Sequence, residues 1–398
     1  MFEIIQRDKN SKARLGLLTT PHGTIETPSY VMVGTYGRFR NLSPADIKKT
    51  KTQLIIANTF HLWDWALQRA SLHYKDALCN RLGLYIPTMT DSGGFQVLSL
   101  AFGMDNRVGK FITDNAKITK AYERRNVRIT KEGVHFKYMG KNLFLGPKLS
   151  MQLQSKIGAD IVFAFDHITG PLDNRAYNQR ALQYTDKWAK ECIAEHNKLQ
   201  KKRINKQILF GIVQGGIYKD LREKSAKSIG SMQFDGFGIG GSYTQKQISE
   251  ILRWVIPYLP EEKPRHLLGV GKIADIFEAI ENGMDTFDCV IPTREARHGR
   301  LYTKTGHLDI RKGKYLKDRK IIEKGCRCPT CSSKISRLRI RELIKSQSRI
   351  LNSAGQRWCL MHNMWFFNKL LKDIRLSLKK GEFREFKEKT IANFNAQA

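Results

Sequence analysis

The amino-acid sequence predicts an α/β fold, and within that class a (β/α)8 barrel. Between about residues 50 and 300, short apolar runs alternate with segments of helical character at 173–199, 218–231, 245–256 and 273–282. The apolar runs are continuous rather than alternating, which is typical of strands buried on both faces of a parallel sheet. They occupy residues 53–57, 86–90, 161–165, 208–213, 236–239, 266–270 and 286–291. Such alternation indicates consecutive βα units.

The residues that follow the runs favour a closed barrel over an open sheet. Nearly every run ends in a polar or glycine-rich cluster, at Asn58, 91–94, Asp166, 214–216 and 240–241. In a barrel the C-terminal strand ends converge on one face, where the active site lies. Polar chemistry spread over several strand ends fits that geometry better than the single crevice of an open sheet.

Length and composition indicate one large domain and a small one. The chain has 398 residues, of which 41% are hydrophobic, enough to bury a sizeable core. We expect a barrel domain over 1–300, a small subdomain over 301–365 and a C-terminal helical segment that packs on the barrel over 366–398. Helix-like segments lie at 333–351 and 361–379. A basic insertion at about 103–134 is either an RNA-contacting loop or a mobile, solvated segment.

The charge indicates a polyanionic partner. The formal net charge is +32, which favours nucleic acid, with a lysine-rich solubilising surface as the alternative. No apolar run approaches the roughly 20 residues of a membrane span. The first residues read as a strand and lack the features of a signal or transit peptide. We therefore expect a cytoplasmic protein without a membrane partner.

A cysteine cluster predicts a metal site. Of seven cysteines, three form the segment Cys326-x-Cys328-x-x-Cys331, and with His362 they have the ligand types of a Cys3His zinc site. An odd, clustered set indicates a reducing compartment and a metal rather than a disulfide framework. Ordinary buried thiols and an iron–sulfur cluster are the alternatives. A closed four-ligand site would be structural, so we expect one structural zinc per chain.

Two aspartates at strand ends, Asp91 and Asp288, are candidates for catalysis. A pair of carboxylates can perform double displacement at a sugar carbon, one attacking and the other moving protons. Helix capping is the alternative for any single aspartate in such a place. The neighbouring residues favour a nucleotide site, because they allow close backbone approach, offer a stacking face and can hold phosphates: Gly93, Gly94, Phe95, Arg294 and Arg297.

Several motifs, in order along the chain, resemble those of the tRNA-guanine transglycosylases. They are residues 58–62, 91–96, 211–215, 269–272 and 287–294, together with the cysteine and histidine set. Independent motifs in the right order are far more specific than any one of them. The resemblance runs from roughly residue 5 to 390. It implies a TIM barrel and a homodimeric pentosyltransferase of queuosine biosynthesis.

The implied reaction exchanges guanine at wobble position 34 of tRNAs with a GUN anticodon (Asp, Asn, His and Tyr) for a 7-deazaguanine, through a covalent enzyme–tRNA intermediate. By resemblance, Asp288 is the nucleophile and Asp91 the general acid/base. Asp166 would read the Watson–Crick edge of the base, with the Gln214 side chain and the Gly241 backbone.

The resemblance also implies the remaining contacts. The positions that sandwich the purine, contact the ribose or line the pocket are Phe95, Leu268, Asn58, Ser92, Gly93 and Gly94. The positions that would bind the RNA are Gly269, Val270, Gly271, Lys272, Ile273, Ala274, Asp275, Thr293, Arg294, Glu295, Ala296 and Arg297. A base in a loop must be splayed out to reach such a pocket, where it stacks and hydrogen-bonds.

A few positions depart from the family pattern and bear on the incoming base. Thr244 is close in size to the valine of enzymes that use preQ1, whereas queuine-using members have glycine there. Ile168, where many bacterial-type members have cysteine, points towards queuine. Ser242 and Lys246 replace an apolar residue and a glutamate. We expect incorporation of preQ1, less strongly preferred over guanine than usual, with queuine as the alternative.

Other functions remain as alternatives. A related enzyme could insert 7-deazapurines into DNA. A non-catalytic partner subunit of a heterodimeric transglycosylase would be expected to lose catalytic residues, but Asp91 and Asp288 are both present. A zinc-organised RNA-binding module without catalysis would not need so many polar strand ends.

Overall fold

The structure, a computed structural model, describes residues 1–68, 76–101, 127–170, 173–241 and 247–395. The chain begins with an antiparallel three-stranded sheet of β1 (Phe2–Arg7), β2 (Arg14–Thr20) and β3 (Gly23–Thr27). Strand β1 confirms the strand predicted at the N-terminus. The sheet lies at one end of the central barrel, because its residues Leu18 and Ile25 contact the barrel interior.

Eight parallel strands close the central barrel. They are β4 (Ser29–Val33), β5 (Ile55–Ala57), β6 (Thr88–Thr90), β10 (Ile161–Phe163), β11 (Ile208–Val213), β12 (Gly236–Ile239), β13 (Arg265–Leu267) and β14 (Thr286–Asp288). Each pairs with the next in that order, and β14 pairs with β4. The predicted (β/α)8 fold is therefore confirmed.

Helices follow the strands around the barrel. They are α1 (Pro44–Lys49), α2 (Trp63–Leu67), α3 (Ala77–Leu82), α4 (Gly94–Ala101), α5 (Pro147–Ile157), α6 (Arg175–Gln200), α7 (Lys219–Gly230), α8 (Ile248–Val255), α9 (Ile273–Glu281) and α10 (Ile291–Arg297). Single 3-10 turns lie at Phe60–Leu62, Ile256–Tyr258 and Gly313–Tyr315. The helices cover the outer faces of the strands, which explains why the strands read as continuous apolar runs.

Several of the strand predictions need correction. The pattern missed β4, which begins directly after Pro28 and lies before the region where the alternation is clear. The runs predicted at 266–270 and 286–291 are longer than β13 and β14. Residues 268–270 and 289–290 form loops at the C-terminal end of the barrel, and Ile291 begins α10, because apolar composition alone does not distinguish a strand from the buried segment that continues it.

The barrel interior is a packed apolar core closed at one end. Its side chains come from alternate strand positions, and Leu18 and Ile25 of the N-terminal sheet pack against them. The barrel residues of this cluster are Val31, Leu54, Ile56, Met89, Ile161, Phe163, Phe210 and Ile212. Because the sheet covers the N-terminal end of the barrel, access to the interior is from the C-terminal end of the strands.

An antiparallel sheet interrupts the barrel between α4 and α5. It consists of β7 (Val127–Ile129), β8 (Val134–Tyr138) and β9 (Lys141–Leu145). The last part of the predicted insertion at 103–134 therefore belongs to this sheet. The rest of it, up to residue 126, lies outside the described residues.

The C-terminal part contains β15 (Arg300–Thr303), β16 (Gly306–Asp309), α11 (Pro329–Ser332), α12 (Arg337–Lys345), α13 (Arg349–Lys380) and α14 (Phe383–Asn395). A second apolar cluster, with Leu301, Ile310 and Ile340 at 0% exposure, forms its core. Helix α13 also packs on the barrel, where Phe367 lies 5.1 Å from the Tyr30 ring of β4. Within the described part of the chain, no helix is long and apolar enough to cross a membrane.

The helix boundaries in this part differ from the sequence prediction at 333–351 and 361–379. Ser346 ends α12, and the Ser348 side chain accepts a hydrogen bond from Leu351 N at the start of α13. Gly355, which falls between the two predicted segments, lies inside α13. An added Cβ there would approach Leu343 Cβ and Ile344 N at 2.8 Å, so the glycine allows α12 and α13 to pack closely. The long helix runs through the predicted domain boundary at 365/366.

Candidate active site and metal cluster

A cavity of 620 Å³ opens at the C-terminal end of the barrel. Residues from the loops after all eight barrel strands line it, as expected for this fold. The lining contains most of the positions singled out in the sequence: Asn58, Asp91, Ser92, Phe95, Asp166, Gln214, Gly241, Leu268, Gly269, Gly271, Lys272, Asp275, Asp288 and Arg294. Residues more than 200 positions apart are thus brought into one pocket.

The remaining predicted positions lie behind or beside this lining. Val270 and Ala296 are 0% exposed, and Ile273 and Thr293 are also buried. The others of this group are Gly93, Gly94, Ala274, Glu295 and Arg297. The buried members of this group shape the pocket wall from behind the lining residues.

Hydrogen bonds hold the Asp91 carboxylate at the end of β6. Oδ1 accepts from the backbone N–H groups of Thr59 and Gly93, each at 3.0 Å, and Oδ2 accepts from Asn58 Nδ2 at 2.6 Å. Gly93 has a φ of +81°, a conformation that glycine adopts without strain. The turn after β6 and the loop after β5 therefore position this carboxylate together.

The protonation of Asp91 is poised near neutrality. Burial raises its pKa to about 7, against the lowering effect of the hydrogen bonds from Thr59, Gly93 and Asn58, and the charge of Asp288 raises it further. A carboxyl group with such a pKa is present in both protonation states at neutral pH. It can therefore donate a proton in one step and accept one in another.

Asp288, at the end of β14, is held by different donors. Its Oδ1 accepts from Gly269 N at 3.0 Å and lies 3.1 Å from His266 Nε2. His266 is fully buried, and its Nδ1 lies 2.9 Å from Thr286 Oγ1. For an ionised Asp288, Nε2–H is the donor, and a neutral imidazole then accepts the Thr286 hydroxyl at Nδ1. These contacts orient the carboxylate towards the cavity.

A third carboxylate lies in the pocket wall with an amide beside it. Gln214 Nε2 donates to Asp166 Oδ2 at 2.5 Å, and both residues are at least 95% buried. Gln214 Oε1 is buried without a hydrogen-bond partner among the described residues. An ideal Cβ on Gly241 would lie 3.2 Å from this oxygen. Buried polar atoms of this kind at a cavity wall are suited to recognising a polar ligand.

Sequence reasoning did not single out every residue of the pocket. His266 was part of a predicted strand but had no assigned role, and Thr35, Gln96 and Cys289 also line the cavity. The only sequence signal for His266 is the alternation of side chains along β13, which would place its side chain on the inner face of the barrel. Ile168 lines the cavity. Ser242, Thr244 and Lys246 lie outside the described residues.

The predicted metal ligands come together in the C-terminal part. The ligand atoms of Cys326, Cys328, Cys331 and His362 all lie within 4.8 Å of one another. Cys328 N–H and Cys331 N–H each point to a preceding sulfur in the cluster, at 3.4 and 3.2 Å. The turn at α11 supplies the sulfurs, and α13 supplies the imidazole.

The donor set fits a tetrahedral metal ion. His362 Nδ1 lies 3.2 Å from Cys328 Sγ, and its Nε2 donates to the Tyr302 carbonyl at 2.7 Å. That outer hydrogen bond fixes the tautomer that leaves Nδ1 as a ligand, which is the usual arrangement around a bound metal. Three thiols crowded about one imidazole would otherwise have few polar partners in this apolar cluster. The site can therefore bind a metal.

Comparison with known proteins agrees with this geometry. Residues 8–396 match the family model described as queuine tRNA-ribosyltransferase. Proteins named queuine tRNA-ribosyltransferase are similar along their whole length: one from Clostridium perfringens is 38% identical (98% of this chain, 97% of the relative), one from Fusobacterium nucleatum 39% (98% and 97%) and one from Clostridium tetani 37% (100% and 100%). The chain thus belongs to the queuine tRNA-ribosyltransferase, or tRNA-guanine transglycosylase, family of pentosyltransferase enzymes.

Proposed function

We propose that this protein exchanges guanine at wobble position 34 of tRNAs with a GUN anticodon for a 7-deazaguanine. The observation that carries the proposal is the pairing of two differently held carboxylates in one cavity. Asp91 has a pKa of about 7, whereas Asp288 accepts hydrogen bonds at one oxygen from Gly269 and His266. Carboxylates in unlike environments can divide the roles of acid and nucleophile.

In the first half-reaction the Asp288 carboxylate attacks C1′ of the ribose, and the bond from C1′ to guanine N9 breaks. Protonated Asp91 supplies the proton that the departing guanine needs. In the second half-reaction ionised Asp91 removes a proton from the incoming base, whose nitrogen attacks C1′. The ester bond from C1′ to Asp288 then breaks and the carboxylate is regenerated. Two displacements retain the configuration at C1′.

Asp166 and Gln214 are suited to bind the edge that the two bases share. The Asp166 carboxylate can accept the N1–H and the 2-amino group of guanine. An amide nitrogen carries two hydrogens, so Gln214 can hold Asp166 and also donate to O6 of the base, together with the backbone at Gly241. Phe95 and Leu268, which line the same cavity, would sandwich the ring. A 7-deazaguanine keeps this edge and differs on the other side of the ring.

For the remaining RNA contacts we propose the loops after β13 and β14. Lys272 and Arg294 line the cavity mouth, where they can pair with phosphates next to the exchanged nucleotide. Asn58 would contact the ribose, although in the absence of RNA its amide nitrogen donates to Asp91. We further propose that the active form is a cytoplasmic homodimer.

Zinc is the metal proposed for the Cys326, Cys328, Cys331 and His362 cluster, because three thiolates and one imidazole are typical zinc ligands. Four protein ligands leave no position for a substrate, so the ion would supply folding free energy rather than catalysis. It would link the turn at α11 to helix α13, which itself packs on the barrel.

The incoming base is proposed to be preQ1. The size of Thr244 favours the smaller base over queuine and carries this proposal, against Ile168, which lines the cavity and points towards queuine. Competition between preQ1, queuine and guanine on one purified tRNA tests this. Uptake of queuine with negligible uptake of preQ1 would contradict the steric argument.

The exchange itself is tested with tRNA that carries labelled guanine at position 34. The label should be released when unlabelled guanine or preQ1 is added, and tRNA without a GUN anticodon should keep its label. A DNA oligonucleotide of the anticodon-loop sequence is the control for the alternative substrate. Release from DNA but not from tRNA would overturn the proposal.

His266 is proposed as a positioning residue for Asp288. The change His266→Phe keeps an aromatic ring but removes the Nε2–H donor, so kcat should fall by about tenfold, the worth of one charge-assisted hydrogen bond. The affinity for tRNA should change little. A matched control is Thr286→Val, which alters only the outer hydrogen bond and should have a smaller effect. Equal kcat values for His266→Phe and the unaltered enzyme would refute this role.

A further inference from the structure

An exposed pair of aromatic rings lies on two loops whose neighbouring residues line the cavity. Tyr36 is 49% exposed and directly follows Thr35, a cavity-lining residue. Its ring centroid lies 4.7 Å from that of His61, at an interplanar angle of 43°. His61 follows Asn58, another lining residue, by three positions. The loops after β4 and β5 thus carry two neighbouring exposed rings close in sequence to residues of the cavity wall.

Backbone contacts and packing hold this pair in place. Arg81 Nε donates to the Tyr36 carbonyl at 3.0 Å, and His61 N donates to Asn58 Oδ1 at 3.0 Å. The buried ring of Phe60 lies edge-on to the His61 ring at 5.6 Å. Partial burial lowers the pKa of His61, which favours the neutral imidazole. A preformed aromatic surface loses little conformational entropy when a ligand stacks on it.

Arginines on the Tyr36 loop and close to it have no carboxylate partner among the described residues. Arg38 and Arg40 are exposed on the same loop as Tyr36. Burial, and then the positive charges of Arg40 and Arg294, lower the pKa of Arg297, so these guanidinium groups lie close enough to repel one another. The ion pairs found among the described residues include none to Arg38, Arg40, Arg294 or Arg297. The repulsion between positive charges concentrated in this way decreases when negatively charged phosphates bind.

Exposed rings next to unpaired arginines are the surface that single-stranded RNA requires. Unpaired bases stack on aromatic side chains while the adjoining phosphates contact cationic groups. We propose that Tyr36 and His61 form a stacking site for an unpaired RNA base next to the exchanged nucleotide, and that Arg38 and Arg40 contact the phosphates beside it. The site extends the proposed function, on which it rests, from the exchanged base to its neighbour.

The test compares the full-length protein with Tyr36→Leu and Tyr36→Phe. The control is Tyr85→Leu, because Tyr85 is 62% exposed but precedes β6 at the opposite end of the barrel. The probe is an anticodon stem-loop RNA, used intact and with an abasic site on either side of the exchanged guanine. Melting temperatures of all variants verify that they fold.

We expect Tyr36→Leu to weaken RNA binding by about fivefold or more, the lower end for loss of one base–aromatic stack. Tyr36→Phe, which keeps the ring, and Tyr85→Leu should bind as the unaltered protein does. One of the two abasic RNAs should bind the unaltered protein about as weakly as the intact RNA binds Tyr36→Leu. That RNA should be insensitive to Tyr36→Leu, because both changes remove the same contact.

The arginine contacts are tested by salt dependence. Each lost phosphate contact to a single strand lowers the slope of log affinity against log salt by about 0.7, so Arg40→Gln should reduce it by roughly that amount. An unchanged slope would overturn the assignment of Arg40.

Equal RNA affinity of Tyr36→Leu and the unaltered protein would overturn the stacking site. So would a change in oligomeric state on size-exclusion chromatography without a change in RNA affinity, which would make the rings a self-association surface. Failure of the proposed function looks different, because the unaltered protein would then release no guanine from tRNA, whatever the behaviour of Tyr36→Leu.

Discussion

The buried environment of Asp91 predicts a pH-dependent effect of Asp91→Asn on stability. Burial raises the pKa of Asp91 to about 7 in the folded protein, against 3.8 for an ordinary aspartate. Between these pH values the folded protein retains a proton that the unfolded chain releases, so the free energy of unfolding falls as the pH rises from about 4 to about 7. Asparagine does not titrate. The variant should therefore gain stability relative to the unaltered protein over this window.

The size of this gain follows from the difference in pKa. One pKa unit corresponds to about 1.36 kcal/mol, so a difference of about three units sets an upper limit of about 4 kcal/mol. Asp91 borders the cavity and is only partly buried, so water screens its charge, and we expect an observed change of about 1–3 kcal/mol. A constant offset from rearranged hydrogen bonds to Asn58 is also expected, and only the change with pH tests the argument.

The assay is urea-induced unfolding of both proteins at several pH values from 4 to 8. Asp309→Asn is a suitable control. Burial alone would raise the pKa of Asp309, but hydrogen bonds from Arg311 lower it on balance, so its effect should be constant from pH 5 to 8. A free-energy difference between Asp91→Asn and the unaltered protein that does not vary with pH would refute the reasoning. In exchange assays Asp91→Asn should lower kcat by about 10²–10⁴-fold, the usual worth of general acid–base catalysis.

Three further outcomes are expected. Asp288→Asn should abolish exchange and the band of the covalent protein–RNA complex on a denaturing gel, while leaving tRNA affinity nearly unchanged. Near-normal turnover of this variant would contradict the assignment of Asp288 as the nucleophile. Elemental analysis should find one zinc per chain. Chelation of the metal should make residues 326–362 sensitive to protease before the barrel unfolds. A metal-free protein in which that segment remains resistant to protease would contradict this prediction. Arg14→Met should cost about 3–5 kcal/mol of stability, because Asp285, paired with it at 2.6 Å and 0% exposed, loses both of its side-chain hydrogen bonds from Arg14 and keeps only the Arg265 N–H and the nearby Arg265 charge. Chemical denaturation measures that loss, and a change below about 1 kcal/mol would contradict it.

The barrel could be predicted because its signals are local. Each buried strand is a short apolar run followed directly by polar residues, as at Asp91 and Asp166, so the alternation can be read without knowing what packs against what. The same holds for the cysteine cluster, since three of its ligands lie within six positions of one another. Strand β4 was missed because only its pairing with β5 and β14 distinguishes it from an apolar loop.

The roles of other residues depend on contacts between distant parts of the chain. His266 looks like an ordinary core residue until β13 pairs with β14 and brings its ring to Asp288. The role of Gly355 likewise depends on a distant contact, because the absence of a side chain there allows α12 to pack closely against α13. Tyr36 and His61 stand on loops after different strands, and no sequence pattern indicates that their rings meet.

By itself, the sequence determined the fold class, the family and the residue types that can perform base exchange, because each of these is carried by short, ordered motifs. Only the tertiary structure decided how those residues are tuned. The pKa of Asp91 reflects burial by surrounding elements and the charge of Asp288, almost 200 positions away. Burial and electrostatic interactions depend on all the residues that lie close in space. The order of the motifs along the chain does not reveal which residues those are.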